Sequence, residues 1–402
     1  MSLQTRDALN AFLDHPEVAV ENAKNGTLAG LTLGVKDIFD VKGYVSGWGN
    51  PDRYAEAQPA TTTASAVQRL LDAGARFIGK TQTEELAFSM IGQNVHLPHP
   101  VNPAAPDRIT GGSSSGSAAA VAGGLVDIGT GSDTGGSVRA PASFCGLIGL
   151  RTTHGLIPLD HTMPLASSFD TFGWFAKDMD TYEKVGRVVI GKTAASALDN
   201  ADRKPRLISL PALDELLSGP PEATAYGRMR RQVESVLGPI RAAKQPPFGI
   251  DELYWATRRL QAHEAWAAHG EWISVAGRRI GSAIYERFAF GKTVTPEQVA
   301  TDTRFRTMFG AALGELLGDD GVLVLPTVPC AAPRSASPPE EMGAFRERAI
   351  RLLCWSGLSG FPQISLPLGS VDGAPFGVSL LGPEGSDLAL IRLGRRILEK
   401  RA

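Results

Sequence analysis

Cysteine is scarce in this chain. Its 402 residues contain three, Cys145, Cys330 and Cys354. They form no CxxC pair and cannot all be joined to one another, which excludes a disulfide framework or a zinc motif as the organising element. A reducing, cytoplasmic setting is the expectation that follows. No apolar run reaches the roughly 18 residues that a membrane span needs. Residues Met1 to Ala11 lack the basic-then-apolar order of a signal peptide. Nor is there a surplus of either charge. Forty Lys and Arg stand against forty-two Asp and Glu, a formal net charge of −2, so neither a nucleic-acid-binding surface nor an acidic tail is indicated. Histidine is also sparse: His96 and His99 flank Pro98, and His263 and His269 fall on a predicted helix. They read as structural or pocket-rim residues. No metal-ligand cluster is visible, so neither a metal nor an organic cofactor is expected.

Glycine, by contrast, is abundant, at 45 residues, above the usual share near 7%. A concentration of glycine marks places where backbone must approach backbone or ligand closely. Apolar content of 43% and charged content of 20% are those of a globular protein. Leu31, Leu33 and Val35 alternate with Thr32, Gly34 and Lys36, a strand that carries Lys36 at its end. Thr63 to Ala73 reads as a helix, Phe77-Ile78 as a short strand, Asn102 to Gly112 as loop, and Gly116 to Leu125 as a close-packing helix. Val126 to Gly131 reads as a strand, with a short helix beginning near Ser137. Glu252 to Ile273 and Pro296 to Leu317 read as long helices, while Pro205 to Pro221 is uninformative. Gly321 to Leu325 is a strand buried on both faces. Gln363 to Leu368 and Phe376 to Leu381 pair around the turn at Asp372-Gly373, and Asp387 caps a final helix. This alternation predicts an α/β fold, with a large, mixed, mostly parallel sheet covered by helices on both faces. Residues 1–402 are read as one domain, with a core at about 28–190 and 320–400 and a variable helical part at about 194–318.

The chemistry is concentrated in two Gly/Ser loops, Gly111-Gly112-Ser113-Ser114-Ser115-Gly116-Ser117 and Gly131-Ser132-Asp133-Thr134-Gly135-Gly136-Ser137. Glycines before a serine let successive N–H groups converge on one point, an anion hole of the kind that stabilises an oxyanion. Two capped helix starts are the plainer explanation for either loop alone. Gly112 to Gly116 also fits GxSxG, but a nucleophile elbow follows an apolar strand, and here a loop precedes Ser114. Gly131 to Gly136 opens like a phosphate-binding loop, yet Ser137 stands where its lysine belongs. A serine nucleophile without a histidine needs another base. Lysine serves if burial lowers its pKa from about 10.4 toward neutrality. Lys36 is preferred on its strand position, with Lys42 and Lys80 as alternatives.

The stretch Gly111 to Gly155 resembles the signature block of the amidase signature family, and GVKDIFDV, Gly34 to Val41, resembles its lysine motif. The likeness continues through GKTQTEELAFS (Gly79 to Ser89), SFDTFGWFAKD (Ser168 to Asp178), GVLVLPTVP (Gly321 to Pro329) and GLSGFPQISLPLG (Gly357 to Gly369). Within that family, GVKDIFDVKGYVSGWGNPD and RRLQAHEAWAAHGEWIS, Arg258 to Ser274, are most similar to plant-type indole-3-acetamide amidases. The resemblance implies a Ser-Ser-Lys arrangement. Ser137 is the nucleophile, Ser113, preceded by a cis peptide, is the bridging serine, and Lys36 is the base. Thr134, Gly135, Gly136 and Ser137 supply the oxyanion hole. Ser132 and Asp133 support the site, and Arg139 has a structural role. Where the family often has KPT, this chain has Arg151-Thr152-Thr153. Met90, Gln93, Gly111, Gly112 and Trp174 are expected to line the substrate pocket. The expected partner is a small amide, with indole-3-acetamide the preferred single candidate. A homodimer is compatible with this reading. An amide-transferring subunit of a glutamine-dependent complex and a non-catalytic scaffold are the rival readings.

Overall fold

Alternating apolar residues and closely packed glycines build a sheet whose middle strands are buried on both faces. The computed structural model describes residues 7–191, 198 and 204–400. Within these residues the strands are β1 (Thr32–Lys36), β2 (Arg76–Thr81), β3 (Ile128–Ser132), β4 (Ile148–Arg151), β5 (Phe172–Ala176), β6 (Arg206–Ser209), β7 (Arg241–Ala242), β8 (Gly321–Pro326), β9 (Gln363–Val371) and β10 (Ala374–Leu381). They form one sheet in the order β2-β1-β3-β5-β4-β9-β10-β8-β6-β7.

The sheet is mixed, as expected, but parallel pairing is confined to its two flanks, β2-β1-β3 and β8-β6-β7. Between β3 and β8 every neighbouring pair is antiparallel. The expectation of a mostly parallel sheet is corrected accordingly. Its origin is the insertion of β5 between β3 and β4 and of the β9–β10 hairpin between β4 and β8, which local periodicity does not reveal.

Adjacent residues of one strand point to opposite faces, and β5 shows helices on both. A Cβ at Gly173 would meet Val138 Cγ2 at 2.9 Å, just before the helix Arg139–Cys145. The next residue, Trp174, stacks on Tyr182 of the helix Met179–Ile190 at 4.8 Å between ring centroids. The glycine excess is used on the first of these faces. A side chain at Gly129 would press on the Ser117 carbonyl at 3.0 Å, and one at Gly131 on Val138 at 2.9 Å. The Ala-rich helix Ser115–Ala122 therefore seats directly on β3, with Ala118, Ala119 and Ala120 fully buried.

Most predicted elements form within two residues of their expected bounds, including the helices Ile250–Ile273 and Pro296–Leu317. Residues 205–221, unreadable in sequence, hold β6 and two helix starts at Pro211 and Pro220. Asp387 does not cap the final helix Asp387–Glu399. Ser386 takes the cap position, and the Asp387 carboxylate accepts from Thr153 N at 2.8 Å and Thr153 Oγ1 at 2.6 Å. Residue 194, the expected start of the variable part, lies outside the described residues. No helix among the described residues is long and apolar enough to cross a membrane.

Candidate active site

β1 and β3 are parallel neighbours, so their C-terminal ends bring Lys36 and Ser132 to the same edge of the sheet. That edge is where open α/β sheets place ligands. The Lys36 amide is fixed by Thr130 Oγ1 at 2.9 Å. Its side chain is fully buried, and Nζ lies 2.7 Å from Ser113 Oγ and 2.8 Å from Ser132 Oγ. The Gly112–Ser113 peptide is cis. Burial pushes the Lys36 ammonium down to about 7, against the opposing pull of Asp170, Asp133 and Glu84. None of the three forms an ion pair with it. Asp170 is occupied by Thr134 Oγ1 at 2.5 Å and by the Leu165 and Ala166 amides. Glu84 Oε1 accepts from Gly92 N and Gln93 N.

Lys80 is also fully buried, but its surroundings differ. It donates to the Phe39 carbonyl at 2.6 Å and to Ser46 Oγ at 2.9 Å, and it pairs with Asp37 at 3.3 Å. Lys42 is exposed. Geometry thus separates three lysines that spacing left open.

Asp133 organises the second loop. Its carboxylate accepts from Gly136 N at 2.8 Å, Val138 N at 3.2 Å, and Arg139 N, Nε and NH2 at 3.2, 2.9 and 2.8 Å. Arg151 NH1 approaches it at 3.3 Å. Burial alone would raise its pKa, but Arg139 and Arg151 hold it far below the usual carboxylate range. Arg139 further donates to the Leu353 carbonyl and Gln363 Oε1. Arg151, at the departure from KPT, also binds the Phe169 carbonyl at 2.7 Å.

Ser137 sits two residues before the helix Arg139–Cys145 and is buried. Its hydroxyl has no hydrogen-bond partner among the described residues, and neither do the amides of Thr134, Gly135 and Ser137. Gly136 is the exception among the four expected anion-hole donors, because Asp133 already takes its N–H. Ser114 is buried, with its hydroxyl 3.5 Å from the Ser132 carbonyl and close to Gly131. It faces the sheet, which disposes of the elbow.

A cavity of about 140 Å³ opens beside Ser132 and Thr134, lined by Ile38, Ala87, Met163, Leu165 and Asp170 among others. None of the five expected pocket residues lines it. Trp174 is fully buried, with Nε1 donating to the Tyr182 carbonyl. It points away from the helix Ser115–Ala122 because β-strand alternation sends it to the opposite face. Gln93 donates to the Ser335 carbonyl. The Met90 carbonyl accepts from Gly112 N, and Gly111 packs on Phe144 and Pro141.

Sequence reasoning missed Asp170, Met163, Leu165 and Gln261. Asp170 lies inside SFDTFGWFAKD and Gln261 inside the Arg258 to Ser274 motif, so both carried a signal. That motif belongs to the helix Ile250–Ile273, which packs against the site loops. Gln261 Nε2 donates to the Thr134 carbonyl at 2.9 Å, Glu264 Oε2 accepts from Ser168 N at 2.9 Å, and His269 Nε2 lies 2.6 Å from the Pro164 carbonyl. The remaining histidines are in structural roles where contacts are seen: His96 with Glu85, His154 with the Ser167 carbonyl. No group of three or more His, Cys, Asp or Glu among the described residues is arranged to hold a metal.

The chain is similar to known proteins over most of its length. The family model for Amidase matches residues 7–210. The chain is 39% identical to Amidase 1 of Arabidopsis thaliana, over 97% of its own length and 98% of that protein. It is 35% identical to Amidase 1 of Oryza sativa subsp. japonica, over 96% and 94% of the two chains. Among solved structures, a crystal structure of an amidase superposes with a TM-score of 0.83 at 28% identity, over 94% of this chain and 86% of that one. The chain belongs to the amidase family of hydrolases.

Proposed function

We propose that the chain hydrolyses a small primary carboxamide to the acid and ammonia through an acyl-enzyme on Ser137. The observation that carries this reading is the state of Lys36: a buried amine, bonded to two serine hydroxyls and free of any ion pair among the described residues. With its pKa near 7, such an amine accepts a proton at neutral pH. Ser137 Oγ attacks the amide carbonyl, and its proton passes through Ser113 to Lys36. The N–H groups of Thr134, Gly135 and Ser137, unengaged by any described residue, hold the oxyanion. Lys36 returns the proton through Ser113 to the leaving nitrogen, ammonia departs, and water cleaves the ester by the same relay.

The arm of the substrate occupies the small cavity beside Ser132 and Thr134, where Ile38, Met163 and Leu165 favour an apolar group. An aryl- or alkyl-acetamide fits this description, with phenylacetamide and indole-3-acetamide as the amides to try. Burial of each methylene equivalent adds about 0.8 kcal/mol, so either should exceed acetamide in kcat/KM. The test is twofold. A fluorophosphonate probe should add one adduct to the wild-type mass and none to Ser137→Ala. Ammonia release across a panel of primary amides should favour the arylacetamides. Labelling that persists in Ser137→Ala would remove the nucleophile assignment, and equal efficiency on acetamide would remove the apolar arm.

A further inference from the structure

A second, larger cavity of about 400 Å³ lies beside the loop leading to Ser113. Glu84 and Ser89 belong to its wall, and both border Gly112: a Cβ there would meet Glu84 Cγ at 2.8 Å and the Ser89 carbonyl at 3.2 Å. Its apolar lining includes Ile91, Ile284, Pro339 and Met342; Gln93, one of the expected pocket residues, lines this cavity, as do two arginines, Arg287 and Arg346. The charges of these arginines are not neutralised by direct contact. Arg346 is half-buried and makes no hydrogen bond or ion pair with any described residue. Among the described residues, Arg287 gives one hydrogen bond, NH1 to the Phe88 carbonyl at 2.5 Å, and has no ion pair.

The carboxylates close by make no ion pair with either arginine among the described residues, although Glu84 and Glu286 attract Arg287 and Glu347 attracts Arg346. Glu84 Oε1 takes the Gly92 and Gln93 amides, and Glu85 takes Asn50, His96 and Gly281. Exposed Glu286 and Glu347 make no ion pair with either arginine. Two helices also start at this cavity, Ser282–Thr293 and Pro339–Ser359. Helix N-termini favour negative charge. Burial first, then Arg287 and Arg258, pushes the Arg346 guanidinium down to about 9, against a weaker opposing pull from Tyr254 and Glu347.

We propose that this cavity binds an organic carboxylate, its apolar body against Ile91, Ile284, Pro339 and Met342 and its anionic head on Arg346 and Arg287. Guanidinium groups pair with carboxylates through charge-assisted hydrogen bonds, and a cavity of this size accepts a small organic molecule. The binding claim stands apart from the amide reaction. That the acid released by that reaction is one such ligand rests on the reading given above.

The experiment is titration calorimetry on the full chain carrying Ser137→Ala, so that no amide is consumed. The probes are phenylacetate, phenylacetamide and inorganic phosphate. Phenylacetate should bind, and Arg346→Met should weaken it about tenfold or more, the loss expected for one charge-assisted contact. Gly343→Glu is the second variant. Gly343 is exposed, a Cβ there meets nothing within 4 Å, and the new carboxylate would stand one helical turn from Arg346 and compete for it. It should weaken phenylacetate similarly even if Arg346→Met does not fold. Phenylacetamide binding should be the same in both variants. Phenylacetate affinity unchanged in both variants, no phenylacetate binding, or phosphate bound as tightly as phenylacetate would each overturn the proposal. Because nothing here depends on turnover, its failure would leave the amidase reading to be judged by ammonia release.

Discussion

Two buried lysines hang from adjacent strands, and only one has a carboxylate in contact. Lys80 has Asp37 as counter-charge; among the described residues Lys36 Nζ has only hydroxyls as partners. Breaking a buried ion pair from one side costs about 3–5 kcal/mol, because the abandoned charge stays buried. Lys80→Met should therefore lower stability by about that much in denaturant titration. Lys36→Met should abolish turnover at a smaller cost in stability. The pH dependence has a definite sign. The folded pKa of Lys36 is depressed from 10.5 to about 7, so between these values the folded chain binds fewer protons than the unfolded chain. Stability from this group rises with pH over that window, and the penalty is present in full below about 7. Lys36→Met lacks that slope. Its unfolding free energy relative to wild type should fall as pH rises from 7 toward 10. A difference that is flat with pH would mean that Lys36 is not held neutral.

At the scale of elements, the decisive piece is the loop between β3 and the helix Arg139–Cys145. Its glycines were legible in the sequence as a place for converging N–H groups, and so was the serine that ends it. Which N–H groups stay free was not legible, because that depends on where the Asp133 carboxylate folds back. It takes Gly136 and leaves Thr134, Gly135 and Ser137. Gly136 has a different task. Its φ is 126°, and a methyl there would meet Leu353 Cδ1 at 2.4 Å. Positive φ and overpacking each cost of order 1–3 kcal/mol. Gly136→Ala should lower Tm and also kcat, since the strain falls next to Ser137. Gly155→Ala, with φ 76° but nothing within 4 Å of the added methyl, is the control, expected to cost stability without comparable loss of kcat. Equal kcat losses in the two would detach Gly136 from the site.

Across the whole molecule, the sheet that carries the site is assembled from both ends of the chain. β1 supplies Lys36, while the late hairpin β9–β10 completes the sheet beside β4. Periodicity made the strands visible one by one. It could not show their order, since antiparallel insertion of β5 and of the hairpin is set by long-range packing. The pocket was hidden for a related reason. Met163 and Leu165 lie in an irregular segment held by Asp170 and by the helix Ile250–Ile273, and no local pattern marks it. Trp174 was misplaced because its side of the sheet could not be known before the neighbours of β5 were. One long-range clasp is testable directly. Asp387 holds Thr153 across 234 positions. Asp387→Ala leaves a buried amide and a buried hydroxyl without their acceptor, at about 1–3 kcal/mol. It should lower the denaturation midpoint while leaving kcat/KM of the folded enzyme close to wild type. A stable variant with impaired kcat/KM would give this clasp a part in the site that its distance from Ser137 in the chain does not indicate.

The central claim is that neutral Lys36 is the base behind Ser137. It is tested most directly by the pH profile of kcat/KM for the best amide found, measured in wild type, Lys36→Arg and Ser114→Ala. The profile of a base follows its own ionisation. Wild type should rise with pH through a limb near 7, the value to which burial brings Lys36, and Ser114→Ala should keep that limb. Lys36→Arg should lose the limb along with several orders of magnitude in activity, because a guanidinium stays protonated. Full activity with an unchanged profile in Lys36→Arg would contradict the account.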